Sequence, residues 1–230
     1  MKKSLLTVSA LSLALALAGC AKKEEAAAPA EAQAEAPAEA PVAAPAAEAA
    51  ATPPAEEEDP AVVKKRREVE FALAEDALVS DARGQWAATA TASSTYNDAK
   101  EPASYSAFQA TGTPNVVGFG DNGNAWCPKE DDGGIERLEL GFAKPVNATE
   151  IRVRQNSAPG AIIKVELIDT EGKAHVVHDG IDTAKYDEFN FWFKKTFEKT
   201  PYKVAGAKIT LATNAVSGWN EIDAVQLLGD

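Results

Sequence analysis

The chain has 230 residues and a formal net charge of −12, with 25% charged and only 7% aromatic residues. Such an acidic chain lacks the positive surface that neutralises phosphate groups, which argues against nucleic acid as a partner. The aliphatic and aromatic residues concentrate in the last 150 or so positions, a length that supports about one hydrophobic core.

The first 19 residues have the pattern of a secretory signal. Lys2 and Lys3 precede an apolar run at 5–18, which is shorter than the about 20 residues that span a bilayer. The sequence LAGC at 17–20 closely resembles the lipobox of bacterial lipoproteins. The resemblance implies that Cys20 becomes the mature N-terminus and carries a diacylglycerol and an amide-linked fatty acid. The alternative is an ordinary secretory signal followed by an incidental cysteine.

Lipidation at Cys20 predicts where the protein resides. Three acyl chains exceed the roughly two lipid signals that suffice for stable attachment, so we expect a permanent membrane anchor in the bacterial cell envelope. Ala21 rather than an aspartate follows the cysteine. By analogy with enterobacterial sorting, this favours the outer membrane over the inner one.

Residues 20–60 are predicted to form the lipidated start and a disordered tether. From 21 onward they are almost all Ala, Pro and Glu, so they cannot bury enough apolar surface to offset chain entropy. Two lysines against nine glutamates and one aspartate give 21–60 a net charge of −8. About 40 such residues reach from roughly 35 Å as a coil to roughly 100 Å or more when extended.

A helix is predicted over residues 61–82. Asp59 and Pro60 form a helix start, and no glycine or proline interrupts 61–79, as a capped helix requires. The basic run at 64–67 is interpreted as a solvated face with i,i+4 partners, the alternative being contact with anionic phospholipid or peptidoglycan. The apolar side chains predicted to share one face are Val62, Val69, Ala72 and Leu73.

Residues 83–230 are predicted to form an all-β domain. Short segments rich in Val, Ile, Thr and aromatic residues alternate in polarity and are separated by Gly, Pro, Asn and Asp, the pattern of antiparallel strands. Eight such segments without a strong helix between them predict a sandwich or barrel, with Ile163, Val165 and Leu167 as one inward row. The segments are 86–94, 137–142, 151–154, 163–167, 175–178, 189–197, 207–212 and 221–228.

Several motifs follow one another in this domain. ATASS at 90–94 is followed by YSAFQATG at 105–112, AW at 125–126, ERLEL at 136–140 and GWNEIDAV at 218–225. Their order resembles the discoidin, or coagulation factor 5/8 type C, domains over about residues 85–229. The resemblance implies a galactose-binding-like antiparallel jelly-roll β-sandwich, a fold that carbohydrate-binding modules also use.

The same resemblance implies a structural cation. Many discoidin-like domains hold Ca²⁺, which prefers hard oxygen ligands, and in this chain the ligands implied are Asn115, Asp121 and Glu221. The family's Asp-Gly reads TG at 111–112 here. The alternative is that 121–124 forms only a tight turn.

No residues in the sequence have the pattern of a catalytic site. His175 and His178 are the only histidines, and on a strand they would face opposite sides, which defeats a metal pair. Cys127 is the only thiol besides Cys20. Its place after Trp126, which the discoidin family buries, predicts an inert side chain. We therefore predict no enzymatic activity and no cofactor besides Ca²⁺.

One aromatic strand supplies the first candidates for ligand binding. In 189–197 three phenylalanines are expected on one face and Trp192 on the other, beside Asn190. An outward Trp192 would stack on a sugar ring or meet a protein. The alternative is that it covers the predicted helix at 61–79.

The remaining binding candidates come from strand and loop positions. Arg152 and Arg154 are expected to project outward together, either to hold an anionic ligand or to face acidic neighbours. Ligands of this fold usually bind at loops at one end of the sandwich, and functional residues concentrate on loops. The loop candidates are Tyr96, Asn97, Phe119 and Asn156.

The sequence therefore predicts a membrane-anchored envelope lipoprotein whose β-sandwich is a non-catalytic binding module for a glycan, an envelope polymer or a protein. The alternative is a structural or assembly lipoprotein that docks to another envelope complex without a small-ligand site. A third reading is an accessory subunit of a secreted enzyme or transport system. Fold alone does not choose among them.

Overall fold

The computed structural model describes residues 58–97 and 102–230. The signal at 1–19, Cys20 and nearly all of the tether at 20–60 lie outside the described residues, so those predictions stay predictions. Within the described part of the chain, no helix combines the length and the apolar character needed to cross a membrane.

The N-terminal helix, α1, runs from Pro60 to Val79. The Asp59 carboxylate accepts a hydrogen bond from the Ala61 backbone N–H at 2.9 Å, and proline occupies the first helical position. At the other end the Ser80 N–H donates to the Asp76 carbonyl at 2.9 Å. The predicted helix and its N-cap are confirmed.

The apolar side chains predicted to share one face of α1 lie on its solvent-exposed side. The exposed residues are Val62, Val69, Ala72 and Leu73. The opposite side contacts the β-domain through Phe71, whose ring centroid lies 5.1 Å from that of Phe191, and through Glu75, which is ion-paired with Arg154. α1 has no fully buried residue. Polar contacts and the Phe71 ring hold α1 on the β-domain. The pattern of aliphatic residues in the sequence does not predict such contacts.

The basic run on α1 is paired in part, but with residues other than the i,i+4 glutamates. Arg66 forms a bidentate hydrogen-bonded pair with Glu58 at 2.8 and 2.9 Å. Arg67 reaches Asp187 in the β-domain at 2.6 Å and lies 4.5 Å over the ring of Phe189. Arg67 therefore helps to attach the helix to the domain.

Eight antiparallel strands follow α1, which confirms the all-β prediction. Their hydrogen-bonded order is β5-β4-β7-β2-β1-β8-β3-β6. The strands are β1 Gly84–Ala92, β2 Ile135–Val146, β3 Ala148–Ser157, β4 Ile162–Asp169, β5 Ala174–Asp179, β6 Trp192–Thr196, β7 Val204–Ala212 and β8 Glu221–Gly229.

Strand β1 joins two sheets and so makes the sandwich. Its first residues pair with β8 and its later residues pair with β2, with a register shift between Ala87 and Thr89. The core lies between the two layers, and full burial of each large apolar side chain contributes about 1.5–3 kcal/mol. Its largest fully buried apolar members include Trp126, Leu138, Ile151, Leu167, Ile209 and Leu227.

One inward row differs from the prediction at its first residue. Ile162 is fully buried whereas Ile163 is only half-buried. The pairing of β4 with β7 shifts register between Ile162 and Lys164. A bulge of this kind adds a residue and moves the following side chains to the other face, which strict alternation cannot anticipate.

The two histidines of β5, His175 and His178, are held apart by different aromatic contacts. A register shift interrupts the pairing of β5 with β4, and both rings are half-buried. His175 stacks on Tyr202 with centroids 3.7 Å apart, and His178 meets Phe193 edge-on at 5.2 Å. Each ring packs against its own aromatic partner.

Candidate functional site

A pocket lies at the end of the sandwich where β1 ends and β8 begins. Three parts of the chain meet there: Tyr96 and Tyr105, the loop residues Asp121 and Cys127, and the residues Trp219 and Glu221. Two backbone hydrogen bonds between Trp126 and Ile222, at 2.9 and 3.0 Å, fasten the loop to the start of β8. The buried Trp126 ring anchors this junction through a bond from its Nε1–H to the Ser94 carbonyl at 3.0 Å.

Three aromatic rings form the wall of the pocket. Tyr96 is 54% exposed and Trp219 is 39% exposed. The Tyr96 ring meets Tyr105 at a centroid distance of 5.3 Å and Trp219 at 5.6 Å, both edge-on. The cavity has a volume of about 150 Å³ and is lined by Tyr96, Tyr105, Asp121, Cys127, Trp219 and Glu221.

Tyr105 has a strained backbone that directs its ring into this wall. Its φ is 63°, and a left-handed conformation costs a non-glycine residue about 1–3 kcal/mol. Its N–H donates to the Gly123 carbonyl, and its carbonyl accepts from Cys127. Its hydroxyl donates to Asp121 at 2.9 Å. That bond raises the pKa of Tyr105 to about 12, so the phenol remains a donor at neutral pH.

Two carboxyl groups, Asp121 and Glu221, form the polar part of the pocket. Glu221 is 1% exposed; its Oε2 accepts from the Asn122 N–H at 3.0 Å and from Asn156 Nδ2 at 2.5 Å. Its Oε1 is buried without a hydrogen-bond donor. Burial, and then the neighbouring Asp121 carboxyl group, raises the pKa of Glu221 to about 8. Glu221 therefore keeps its proton at neutral pH.

Asn156 and Cys127 support the pocket from behind and below. Asn156 is fully buried, and its Nδ2 also donates to the Gly120 carbonyl at 2.9 Å. The Cys127 thiol is buried, and burial together with the neighbouring carboxylates raises its pKa. A thiol that stays protonated is a poor nucleophile, so the predicted buried cysteine is confirmed.

Some of the predicted binding residues meet at this pocket and others do not. Tyr96 lines it and Asn156 lies behind it. The Asn97 carbonyl accepts a bond from Thr95 Oγ1 at 3.0 Å, and this residue is outside the lining. Phe119 packs on Phe191 at 5.7 Å instead.

Tyr105 and Trp219 were missed by sequence reasoning. Both belong to motifs quoted above, YSAFQATG and GWNEIDAV, where they were treated only as markers of a family. The signal that could have found Trp219 is its place next to Asn220 and Glu221, since an aromatic beside a carboxyl group is a common element of sugar sites.

The structure places two of the three implied calcium ligands, Asp121 and Glu221, in one pocket. The Asn115 backbone N–H donates to Asp223 at 3.2 Å, and Asp223 pairs with Arg154 at 2.6 Å. Among the described residues, no group of three or more His, Cys, Asp or Glu side chains is placed to hold a metal. Calcium also takes backbone and amide oxygens, so the implied calcium site stays a prediction.

The outward orientation predicted for Arg154 is wrong. Arg154 is 2% exposed and lies under α1. Its Nε bonds Glu75 of α1 at 2.6 Å, and its guanidinium carbon is 4.7 Å from the Phe191 ring centroid. Arg154 on β3 also pairs with Asp223 on β8, so this arginine links α1 to both strands.

Arg152 is buried in the same way, so its predicted outward orientation is also wrong. Its guanidinium bonds Glu150 at 2.9 and 3.0 Å and Asp81 at 3.2 Å. It also donates to Gln226 at 3.1 Å and to the last turn of α1, at the Leu78 carbonyl, at 3.3 Å. Strand alternation identifies the outer face correctly, but it does not show that α1 covers that face.

Trp192 is also buried, at 5% exposed, so its predicted role as an outward stacking platform is wrong. Its ring lies 6.5 Å from that of Trp86, and its Nε1–H has no partner. The aromatic contacts of this segment with α1 come instead from Phe189 and Phe191, which precede β6. Asn190 is exposed and borders a groove of about 470 Å³ beside Trp192.

Comparison with known proteins places the domain in a family. A family model described as the C-terminal SD scarf domain of pappalysin-1 matches residues 76–230. No curated protein sequence matches the chain. The family match spans the end of α1 and all eight strands.

Three solved structures illustrate the structural neighbours. A chitosan-binding module of a Paenibacillus sp. IK-5 chitosanase/glucanase is 12% identical, covering 61% of this chain and 94% of its own, with a TM-score of 0.46. A family 32 module of C. perfringens NanJ in complex with galactose is 19% identical, covering 65% and 96%, with 0.43. A Streptococcus pneumoniae fucose-binding module is 13% identical, covering 62% and 93%, with 0.43.

Proposed function

The chain belongs to the family of the C-terminal SD scarf domain of pappalysin-1, and from this premise we propose that its β-sandwich is a non-catalytic carbohydrate-binding module. The observation that carries the proposal is the pair of exposed rings, Tyr96 and Trp219, beside the buried Glu221 carboxyl group. Sugar rings stack their C–H faces on aromatic side chains, and their hydroxyls donate hydrogen bonds to carboxylates.

The arrangement of the carboxyl groups supports binding without catalysis. Glycoside hydrolysis uses two carboxyl groups about 5–9.5 Å apart, one on each side of the scissile bond. Asp121 and Glu221 line the same small pocket instead, so they contact a ligand from the same side. The thiol below them stays protonated and supplies no nucleophile.

Replacement of Trp219 by alanine tests the proposal. We expect the unmodified protein to bind at least one member of a panel of neutral and charged oligosaccharides in a fluorescence or calorimetric titration. Trp219→Ala removes the stacking surface and is expected to weaken that binding about tenfold or more, which corresponds to about 1.4 kcal/mol.

Phe108→Ala is the matched control, because Phe108 is an exposed aromatic residue outside the pocket lining. This variant is expected to bind sugar as the unmodified protein does. The proposal fails if no sugar in the panel binds, or if Trp219→Ala retains full affinity while remaining folded.

We further propose that the module is displayed from the bacterial cell envelope through lipidated Cys20, with the outer membrane favoured. The support is the LAGC sequence at 17–20 and the acidic Ala/Pro/Glu segment that follows. Cys20→Ser is expected to abolish incorporation of labelled palmitate and to release the protein from the membrane fraction, whereas Cys127→Ser retains both. Unlabelled, soluble protein with Cys20 intact would contradict anchoring.

A further inference from the structure

We infer that the sugar unit held in this pocket carries a free, positively charged amino group, as an unacetylated glucosamine unit does. The inference rests on the proposed function and narrows it to one class of carbohydrate. Three features of the described lining support it: the aromatic wall, the two carboxyl groups and the absence of basic side chains.

The aromatic rings of the pocket can attract a cation. The Tyr96 ring plane lies at 84° to that of Trp219 and at 70° to that of Tyr105, and all three rings line the same small pocket. A cation within about 6 Å of a ring centroid is attracted by the negative face of the ring. The aromatic wall therefore favours a compact cation.

One carboxyl oxygen of the pocket lacks a hydrogen-bond partner. Glu221 Oε1 is buried and unpaired, which is unfavourable for any buried polar atom. An ammonium group has three N–H donors and no acceptor, so it could bond this oxygen and Asp121 together. The unpaired oxygen is independent of the aromatic rings and also calls for a donor inside the pocket.

The described part of the lining offers no competing positive charge. Its six residues include two carboxyl groups and no lysine, arginine or histidine. The buried Arg154 guanidinium pairs with Glu75 and Asp223 instead. A neutral hydroxyl could satisfy one oxygen but would leave the negative charge of the pair uncompensated, and an anionic sugar would be repelled. An ammonium satisfies both the geometry and the charge.

Three matched trisaccharides test the inference: β-1,4-linked trimers of glucosamine, of N-acetylglucosamine and of glucose. Calorimetric titration at pH 6 is expected to show the glucosamine trimer binding at least tenfold more tightly than the other two. Glu221→Gln keeps the size of the side chain but replaces a carboxyl group, which can give up its proton to a bound ammonium, by an amide that cannot become negative. It is expected to reduce that preference to less than threefold.

Two further variants keep the test interpretable. Glu139→Gln neutralises an exposed carboxylate on β2 and is expected to leave the preference unchanged, which controls for overall charge. Asp121→Asn alters the exposed member of the pair and is expected to weaken the preference even if Glu221→Gln fails to fold.

The outcomes separate this inference from the proposed function. Equal binding of the three trimers, or binding of other sugars only, overturns the inference and leaves the proposed function standing. If no sugar binds, both the inference and the proposed function fail. A titration with tetramethylammonium as a second probe would then show whether the aromatic wall binds a cation that is not part of a sugar. If Ca²⁺ alone raises the melting temperature and Glu221→Gln abolishes that rise, a metal site replaces the amino-sugar site.

Discussion

Replacement of Arg154 by methionine is expected to lower the free energy of unfolding by about 3–5 kcal/mol, because it leaves the buried carboxylate of Asp223 without its cation. Asp223 is 1% exposed and lies 2.6 Å from Arg154. The same change removes the bond to Glu75 that holds α1 on the sheet. Urea unfolding followed by tryptophan fluorescence measures the loss.

Arg137→Met is the control for this prediction. Arg137 is an exposed arginine on β2, and surface substitutions of this kind usually change stability by less than about 0.5 kcal/mol. A loss below about 1 kcal/mol for Arg154→Met would contradict the buried pair. It would mean that α1 leaves this face open to water, so that Arg154 is solvated as the sequence predicted.

The second large effect is a loss of stability as the pH rises from about 5 to about 8. An unfolded glutamate has a pKa near 4.5, whereas burial and then the neighbouring Asp121 carboxyl group raise the pKa of Glu221 to about 8. Between these values the folded protein keeps a proton that the unfolded chain releases, so the folded state is progressively disfavoured. One such group contributes a slope of about 1.4 kcal/mol per pH unit.

Glu221→Gln is expected to remove this slope, because the amide does not titrate. In the unmodified protein, the stabilising contribution of the Glu221 proton is fully present below pH 4.5 and is lost above pH 8. The stability of wild type and variant is compared by urea unfolding at pH 5, 6.5 and 8. Asp81 does not contribute to the change in stability between pH 5 and 8. Hydrogen bonds from Arg83 hold its pKa below the usual range, so its effect on stability occurs only at acidic pH. Parallel profiles for the two proteins would contradict a proton that Glu221 keeps in the folded state.

The fold could be predicted because each strand has a local sequence pattern of alternating apolar and polar residues. Alternation located all eight strands, and Asp59 with Pro60 marked the start of α1 within a residue. The failures arise where a distant element changes the environment of a strand. Arg154 and Trp192 occupy the outer-face positions that alternation assigns to them, yet both are buried, and α1 covers Arg154.

The pocket could be predicted only in part, for a similar reason. Tyr96, Asp121 and Glu221 were chosen separately, one as a loop aromatic and two as calcium ligands, and the structure joins them. Their neighbours Tyr105 and Trp219 are 114 positions apart in the sequence. Such residues meet only when three loops have folded, so the spacing of residues within any one segment does not predict their contact.

The central claim is that the pocket bounded by Tyr96, Tyr105 and Trp219 is where carbohydrate binds. The four tryptophans give separate indole N–H signals in ¹H–¹⁵N NMR spectra, so a titration with the tightest-binding oligosaccharide locates the ligand directly. The account predicts shifts of the Trp219 indole and of the Asn122 backbone amide, with the Trp192 indole unmoved. Shifts confined to the Trp192 indole and the Asn190 amide would place the ligand in the other groove and contradict it.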